Sequence, residues 1–323
     1  MNAVICPRYG PPDVLQLTQV PRPTPRPDEL LIRIRATTVT AADCRVRGFR
    51  VPRAYWLPAR LALGWRKPRQ PILGVELAGE IEAVGAEVRG FRPGERVFAA
   101  ALRSFGAYAD YICLPAHAAI SPMPVGSTFE EAAALPIGAR TALHYLRRAA
   151  VGPGQRVLVC GAAGSVGSYA VQLARYFGAQ VTALCRGADA AWVRALGAAT
   201  IVDYTAAGYA QQLQTYDVVF VAVEGYSFAF GARLLRPRGA YVDVTAPLKS
   251  LPMHWARLRG RLRLVVGEPV PESAPDLRWV KELVEAGALR PVLDRCYPLA
   301  DIVAAHRYVE QGHKKGNVAI AIG

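Results

Sequence analysis

The apolar positions in the first third of the chain fall in short runs that are rich in β-branched residues. Pro and Gly separate these runs, as in Pro11-Pro12-Asp13 and Arg92-Pro93-Gly94-Glu95. Runs bounded by such turn residues are typical of β-strands. We therefore expect a partly open β-barrel, with strands at Ala3 to Cys6, Leu30 to Ala36, Val75 to Val84, Arg96 to Ala100 and Tyr108 to Leu114.

The pattern changes near Ser127, where apolar strand-like runs begin to alternate with helical patterns. Thr128 is a typical helix cap, and Glu130 and Glu131 follow it in the first turn. The alternation predicts an α/β domain, a doubly wound parallel sheet with helices on both faces. Its expected strands are Arg156 to Gly161, Gln180 to Cys185, Ala199 to Tyr204, Asp217 to Val223 and Ala240 to Thr245, with a helix from Ser165 to Phe177.

The last part of the chain is too short to form a domain by itself. It contains two helical patterns, near Leu277 to Glu285 and Leu299 to Glu310, and a closing strand from Gly316 to Ile322. We expect residues 1–122 to form the barrel, residues 123–265 the parallel-sheet domain, and residues 266–323 to return to the barrel. A ligand cleft between the two domains follows from this arrangement.

The chain is basic, with 39 Lys and Arg against 25 Asp and Glu, which gives a formal net charge of +14. The charges are mostly scattered, and Arg greatly outnumbers Lys, so we favour a solvated basic surface over a nucleic-acid site. Two denser stretches, Arg50 to Arg69 and Lys249 to Arg263, leave a nucleic-acid or anionic-membrane partner as the alternative.

The six cysteines are spread without CxxC pairs, which indicates free thiols. The N-terminal sequence lacks the pattern of a secretory signal, and no apolar run approaches the ~20 residues of a membrane span. These features predict a soluble cytoplasmic protein without a membrane span.

A glycine-rich segment joins the first parallel strand to the next helix. It consists of Gly161, Ala162, Ala163, Gly164, Ser165, Val166 and Gly167. Glycines allow a sharp turn and a close approach of the backbone to a pyrophosphate, and the helix N-terminus then binds the anion. The spacing is G-x-x-G-x-x-G, and an ordinary strand-to-helix turn is the alternative. Its place between a buried strand and a helix favours a dinucleotide site.

The residues after the second strand indicate which dinucleotide is used. NAD-binding proteins place an acid there to accept the ribose hydroxyls, whereas this chain has Cys185 followed by Arg186. Arg186 can pair with a 2′-phosphate, so the sequence favours NADPH. The alternative is that Arg186 is one more solvated arginine.

Along nearly its whole length, the sequence resembles the zinc-free medium-chain dehydrogenases/reductases of the quinone oxidoreductase and zeta-crystallin group. The matching segments are Arg8-Tyr9-Gly10, Gly74-Val75-Glu76-Leu77-Ala78-Gly79, Pro93-Gly94-Glu95-Arg96-Val97, Gly106-Ala107-Tyr108-Ala109, Ala132-Ala133-Ala134-Leu135-Pro136, the glycine-rich segment, Leu196-Gly197-Ala198 and Gly312-His313-Lys314-Lys315-Gly316-Asn317.

This resemblance implies a GroES-like barrel joined to a Rossmann domain, self-association as a dimer, and hydride transfer from NADPH to an electron-poor acceptor. It places the pyrophosphate at Gly161 to Gly167, the adenosine phosphate end at Cys185, Arg186 and Tyr204, and the nicotinamide near Thr141. Tyr204 is alternatively a plain aromatic residue at a strand end.

The resemblance also implies chemistry without a metal. Zinc-dependent relatives carry a His where this chain has Val75, and their other ligands would fall near Thr40 and Ile137. A catalytic zinc requires three protein ligands. The chain departs from quinone reductases at Thr40-Ala41-Ala42-Asp43, Val221 and Asn317, which leaves an altered active site open.

Without a Lewis acid, conjugated acceptors are favoured, and a lipophilic quinone is our primary expectation. An enoyl or 2-alkenal reductase is one alternative, and an NADPH-binding regulator that contacts RNA, a membrane or a protein is another. Asp43, Tyr55 and Tyr9 are candidate hydrogen-bonding residues for catalysis, although Asp43 is also expected to bond the backbone of its own turn. The run from Phe49 to Trp65 is either an apolar flap over the substrate or a helix packed on the barrel.

Overall fold

The computed structural model describes residues 1–52, 55–245 and 262–323. The chain divides into two compact units. The first unit comprises residues 1–137, 272–287 and 291–323, and the second comprises residues 138–271 and 288–290. The boundaries predicted after residues 122 and 265 therefore lie earlier in the chain than those observed, and the helix capped by Thr128 belongs to the first unit because it packs on the sheet of that unit.

The strands are β1 (Asn2–Ile5), β2 (Gln16–Gln19), β3 (Glu29–Thr38), β4 (Glu76–Val84), β5 (Arg96–Ala100), β6 (Tyr111–Pro115), β7 (Ile120–Pro122), β8 (Arg156–Cys160), β9 (Gln180–Cys185), β10 (Thr200–Asp203), β11 (Tyr216–Val221), β12 (Leu235–Asp243), β13 (Arg263–Val266), β14 (Leu293–Pro298) and β15 (Asn317–Ala321). The helices are α1 (Ala41–Gly48), α2 (Trp56–Leu63), α3 (Phe129–Ala133), α4 (Gly138–Arg148), α5 (Ser165–Tyr176), α6 (Ala190–Ala195), α7 (Phe228–Arg233), α8 (Ala274–Glu285) and α9 (Ile302–Glu310).

The first unit is built on one mixed sheet with the strand order β14-β15-β3-β4-β5-β7. The long strand β3 pairs with β4 on one side and with both β6 and β15 on the other. Its inward side chains, such as Leu30, Ile32 and Ile34, are buried in an apolar core that also includes residues of α9. The C-terminal residues thus complete the N-terminal sheet, as the sequence predicted.

The second unit is a six-stranded parallel sheet with the order β10-β9-β8-β11-β12-β13. This is the strand order of dinucleotide-binding folds. Successive strands are added on one side of β8 up to β10 and on its other side from β11 onward, so the strand order reverses between β8 and β11. The strands are near-continuous apolar runs because helices cover both faces of such a sheet. Val157, Val159, Val219 and Phe220 are inaccessible to solvent.

Capping boxes fix the start of two helices in the first unit. Thr40 and Asp43 form a reciprocal capping box at α1, and Thr128 and Glu131 form another at α3. Each box satisfies backbone N–H groups that the first helical turn cannot pair. None of the helices in the described part of the chain combines the length and apolar character needed to cross a membrane.

Candidate active site

The carboxyl ends of β8 and β11 mark the point where the strand order of the second unit reverses. β8 pairs with β9 on one side and with β11 on the other, and its last residue, Cys160, is level with Val221 of β11. Ligands of open parallel sheets bind in the crevice at such a point.

The glycine-rich segment lies at this point, and two of its glycines cannot carry a side chain. Gly161 has φ 79°, and a Cβ there would lie 2.7 Å from Cγ1 of Val223. A Cβ on Gly167 would lie 2.1 Å from the carbonyl oxygen of Gly161. Ser165 opens α5, and Gly164 is its N-cap without a side chain to occupy the helix end. This end of the helix therefore presents backbone N–H groups to an anion.

Arg186 follows β9 directly and is held by a buried acid. Its Nε lies 3.0 Å from Oδ2 of Asp189, which is 1% exposed, and Trp192 Nε1 donates to the other carboxylate oxygen at 3.3 Å. The guanidinium is therefore anchored beside the end of β9, while 29% of its side chain stays exposed.

A second acid, to which the sequence analysis assigned no role, lies close to the same turn. Asp203 ends β10 level with Cys185, and a Cβ on Gly187 would come within 2.5 Å of its Oδ2. Hydrogen bonds from the hydroxyl and backbone N–H of Thr205 hold the pKa of Asp203 below its usual value. The following residue, Tyr204, donates its backbone N–H to the Cys185 carbonyl and has a side chain exposed to solvent.

Thr141 lies in the first turn of α4 and is half-buried. On the same helix, His144 Nε2 is 3.7 Å from Oε2 of Glu268, and Arg148 Nε donates to that oxygen at 2.8 Å. His144 is thus a partly buried histidine beside an acid.

Asp43, the first catalytic candidate, is inaccessible to solvent. One carboxylate oxygen accepts from the backbone N–H of Thr40 at 2.9 Å and from its hydroxyl at 2.5 Å, and the other accepts from Gly74 N at 3.1 Å. Burial raises the pKa of Asp43 to about 6, although these hydrogen bonds oppose the shift. Its carboxylate fixes the start of α1 and the turn at Gly74, which is the structural role that the sequence offered as the alternative.

Of the other two candidates, Tyr9 contacts the segment from Phe49 to Trp65, and Tyr55 belongs to it. The Tyr9 hydroxyl donates to the Gly64 carbonyl at 2.9 Å, and burial raises the pKa of this phenol. Tyr55 precedes α2 and is 38% exposed. Within this segment, Trp56–Leu63 form α2, which contains no buried residue. The choice between an apolar flap and a helix packed on the barrel stays a prediction.

Glu76 is a buried acid of the first unit whose importance the sequence analysis overlooked. Its Oε1 accepts from the Thr38 hydroxyl, and its Oε2 accepts from Ile137 N at 2.7 Å. Burial raises the pKa of Glu76 to about 7, while the nearby Lys314 ammonium acts in the opposite direction. The position of this Glu within Gly74-Val75-Glu76, next to an apolar strand, was the available signal.

Asp243 is a second overlooked acid, at the carboxyl end of β12 in the second unit. It is 5% exposed, and its Oδ1 accepts from the backbone N–H and the hydroxyl of Thr245, both at 2.8 Å. A single acid after the apolar run Ala240-Tyr241-Val242 was the sequence signal. Asp243 therefore fixes Thr245, close behind β12, at the carboxyl end of the parallel sheet.

The positions that correspond to zinc ligands do not fit a catalytic zinc. Val75 is apolar and buried, the Thr40 hydroxyl is bonded to Asp43, and Ile137 contributes only its backbone N–H to Glu76. In the described ranges, no group of three His, Cys, Asp or Glu side chains could hold a metal ion. Reduction without a metal remains a prediction from the sequence.

Comparisons with known proteins identify the family. The profile of the alcohol dehydrogenase GroES-like domain matches residues 26–125, and that of a zinc-binding dehydrogenase matches residues 196–320. The quinone-oxidoreductase homolog of Spinacia oleracea chloroplasts is 30% identical over 334 residues, which cover 99% of this chain and 98% of that protein. The mitochondrial NAD(P)H oxidoreductase RTN4IP1 of Mus musculus is 28% identical over 361 residues, covering 100% of this chain and 89% of that protein.

Among solved structures, the quinone oxidoreductase from Coxiella burnetii superposes with a TM-score of 0.88 at 27% identity, covering 100% of this chain and 99% of that one. These matches confirm the predicted fold class, a GroES-like domain together with a Rossmann-type parallel sheet. The two organellar relatives leave the cytoplasmic location a prediction. Because a relative at 30% identity spans almost the whole of both chains, the chain belongs to the medium-chain dehydrogenase/reductase family, a family of oxidoreductases.

Proposed function

We propose that this protein transfers a hydride from NADPH to a quinone or a related conjugated carbonyl, without zinc. The observation that carries the proposal is the segment Gly161 to Gly167 at the reversal point of a parallel sheet, with Arg186 directly after the neighbouring strand.

The second unit fits a nicotinamide dinucleotide. Because Gly161 and Gly167 lack side chains, the turn packs closely on Val223 and on its own backbone. The first turn of α5, which follows this turn, would bind the pyrophosphate. A bound nicotinamide dinucleotide supplies the hydride. By resemblance, Thr141 would lie near its nicotinamide, and Arg186 with Tyr204 would hold the adenosine phosphate end.

The choice of NADPH over NADH rests on charge at the end of β9. Arg186 donates from Nε to Asp189, and this bond orients the planar guanidinium. The side chain of Arg186 stays partly exposed to solvent. A 2′-phosphate paired with Arg gains charge-assisted hydrogen bonds. Asp203 opposes this preference because it places a negative charge beside Gly187, so the balance between Arg186 and Asp203 sets the discrimination.

The acceptor class follows from the missing zinc ligands. Reduction of an isolated ketone leaves a localised alkoxide, which zinc-dependent enzymes stabilise with the metal. A quinone or enone spreads the added charge over its conjugated system and then takes a proton from solvent or a side chain. The protein has mainly to orient the two reactants. We assign Asp43 to positioning, because it is buried, and Tyr9 and Tyr55 to contacts with the acceptor.

Loss of nicotinamide absorbance tests the proposal. Chelator-treated protein is mixed with NADPH, and separately with NADH, against quinones, 2-alkenals, enoyl thioesters and a simple alcohol and ketone pair. We expect turnover with NADPH and quinones. Preference for 2-alkenals or enoyl thioesters would favour the enoyl reductase alternative, and activity on the alcohol that requires added zinc would refute the proposal.

Two further expectations belong to the same proposal. Self-association as a dimer is implied by the resemblance, and sedimentation velocity measures it directly. Tight NADPH binding without turnover on any acceptor would instead favour a regulator. That case requires NADPH to change the binding of RNA or a protein in a salt-dependent assay.

A further inference from the structure

The segment that contains α2 exposes apolar side chains to solvent. Leu57 is 54% exposed, Leu61 60% and Trp65 56%, and Trp56 and Tyr55 are also exposed. Leu57 and Leu61 are one helical turn apart and therefore lie on the same side of α2. These five residues, which we call the α2 patch, concentrate half of the large apolar side chains that are exposed in the described part of the chain.

Contacts of Arg60, Trp56 and Tyr9 hold the α2 patch in a defined conformation. The Arg60 guanidinium lies 3.7 Å from the centroid of the Phe49 ring, and one of its nitrogens donates to the Trp65 carbonyl. Trp56 packs edge-on against Trp65 with centroids 5.7 Å apart, and Tyr9 bonds Gly64. The exposed side chains are thus presented by an anchored element.

The surroundings of the α2 patch are strongly basic. The sequence from Cys44 to Val75 contains eight Lys and Arg and no Asp or Glu. Arg66, Lys67 and Arg69 are exposed directly after Trp65. An acid from elsewhere in the fold, Glu310, pairs with Arg47 and Arg50 at the opposite end of the segment. None of the described acids forms an ion pair with Arg66, Lys67 or Arg69, so these exposed cations are available to an anionic partner.

We infer that the α2 patch binds the surface of an anionic lipid bilayer. A short helix with Trp and Leu beside Lys and Arg is suited to the interface, where apolar side chains enter the acyl boundary and cations stay at the headgroups. A second copy of the chain would bring like charges together, and a nucleic acid gives no reason for exposed leucines. The inference goes beyond the proposed function. Tyr55, to which that proposal assigns a contact with the acceptor, is left unchanged in the variants that test it.

Binding to vesicles tests this inference without any measurement of activity. The full-length protein is sedimented with vesicles of phosphatidylcholine alone and of phosphatidylcholine mixed with phosphatidylglycerol. We expect binding to the anionic vesicles that weakens as salt is added, because salt screens the headgroup attraction. Quenching of Trp fluorescence by brominated acyl chains should occur on binding and should disappear in the variant Trp56→Phe with Trp65→Phe.

Two double variants separate the apolar and the basic contributions. Leu57→Ser with Leu61→Ser, and Arg66→Glu with Lys67→Glu, should each lower the vesicle partition coefficient by at least about tenfold. The matched controls change exposed residues elsewhere in the first unit, Val125→Ser and Arg92→Glu, and should bind like the parent chain.

Three outcomes would overturn the inference. Undiminished vesicle binding by the leucine variant would show that the α2 patch does not enter the bilayer. Binding to single-stranded RNA but not to anionic vesicles would assign the basic surface to nucleic acid. Concentration-dependent association that the leucine variant abolishes, without vesicle binding, would assign the α2 patch to a second copy. Circular dichroism of each variant establishes that it is folded.

Discussion

Replacing Glu76 with Gln tests whether burial of this carboxylate makes the first unit less stable as the pH rises. Burial raises the pKa of Glu76 from 4.5 to about 7, so the folded protein holds this proton more tightly than the unfolded chain does. The resulting stabilisation is complete below about pH 4.5 and is lost as the pH rises through about 7. At roughly 1.4 kcal/mol per pKa unit, the loss amounts to about 3 kcal/mol.

Gln matches the shape of Glu and can keep both hydrogen bonds. Its carbonyl oxygen can accept from Ile137 N, and its amide can donate to the Thr38 hydroxyl oxygen, which replaces the bond that Thr38 now donates. The variant should therefore gain about 3 kcal/mol relative to the parent between pH 4.5 and pH 8, where the buried carboxylate of the parent becomes charged.

Urea unfolding at a series of pH values measures this difference. Asp43 and Lys314 act electrostatically on Glu76, and they titrate in both proteins, so the comparison is made as the difference between the two curves. Glu80→Gln is the control, since it makes the same chemical change on the same strand at a side chain that is 35% exposed and paired with Arg35. Parallel pH curves for the parent and Glu76→Gln would refute the reasoning.

Further predictions concern the dinucleotide site and the acceptor. Gly167→Ala should displace the Gly161 carbonyl, lower the melting temperature and abolish NADPH binding measured by fluorescence titration; Gly164→Ala, whose Cβ would be 3.4 Å from that oxygen, should keep the parent's melting temperature. Arg186→Ala should raise the Michaelis constant for NADPH at least about tenfold and leave that for NADH unchanged, since one charge-assisted contact is lost. A Michaelis constant for NADPH that is the same in the variant and the parent would show that Arg186 does not contact the cofactor. Deleting residues 55–65 should change the preference among acceptors while sparing NADPH affinity, and loss of folding would instead favour a helix needed for the barrel.

The parallel-sheet unit was predictable from the sequence because its strands are buried on both faces. Such strands are continuous apolar runs, which are easily recognised in a sequence. The predicted bounds of β9 agree with those observed. The glycine-rich segment was equally clear, since only a missing side chain permits the contact between Gly167 and the Gly161 carbonyl. Strand β12 begins at Leu235, before the predicted start at Ala240. The first residues of the strand were not predicted because Pro237 and Gly239 interrupt its apolar pattern.

The first unit was harder to predict because its contacts join distant parts of the chain. Strand β14 was missed, since Asp294, Arg295 and Cys296 lack an apolar pattern and pair only along the edge of the sheet. The role of Glu76 depends on Thr38 and Ile137, which are far from it in sequence. The second basic stretch, Lys249 to Arg263, falls largely within residues 246–261, outside the described residues.

The pairing of β15 with β3 has a consequence for synthesis of the chain. Ala36 leaves the ribosome long before its partner in the sheet, Ala321, because most of the chain lies between them. The second unit is nearly continuous in sequence and can form its strand pairs as soon as it emerges. Ala36, Thr37 and Thr38 of β3 must therefore wait without their β15 partners until residues 319–321 emerge, and this part of the strand edge is exposed to wrong pairings and to chaperones. A chain that stops at residue 290 should accordingly retain the parallel sheet and lose the first unit to aggregation, which limited proteolysis of the truncated protein would reveal.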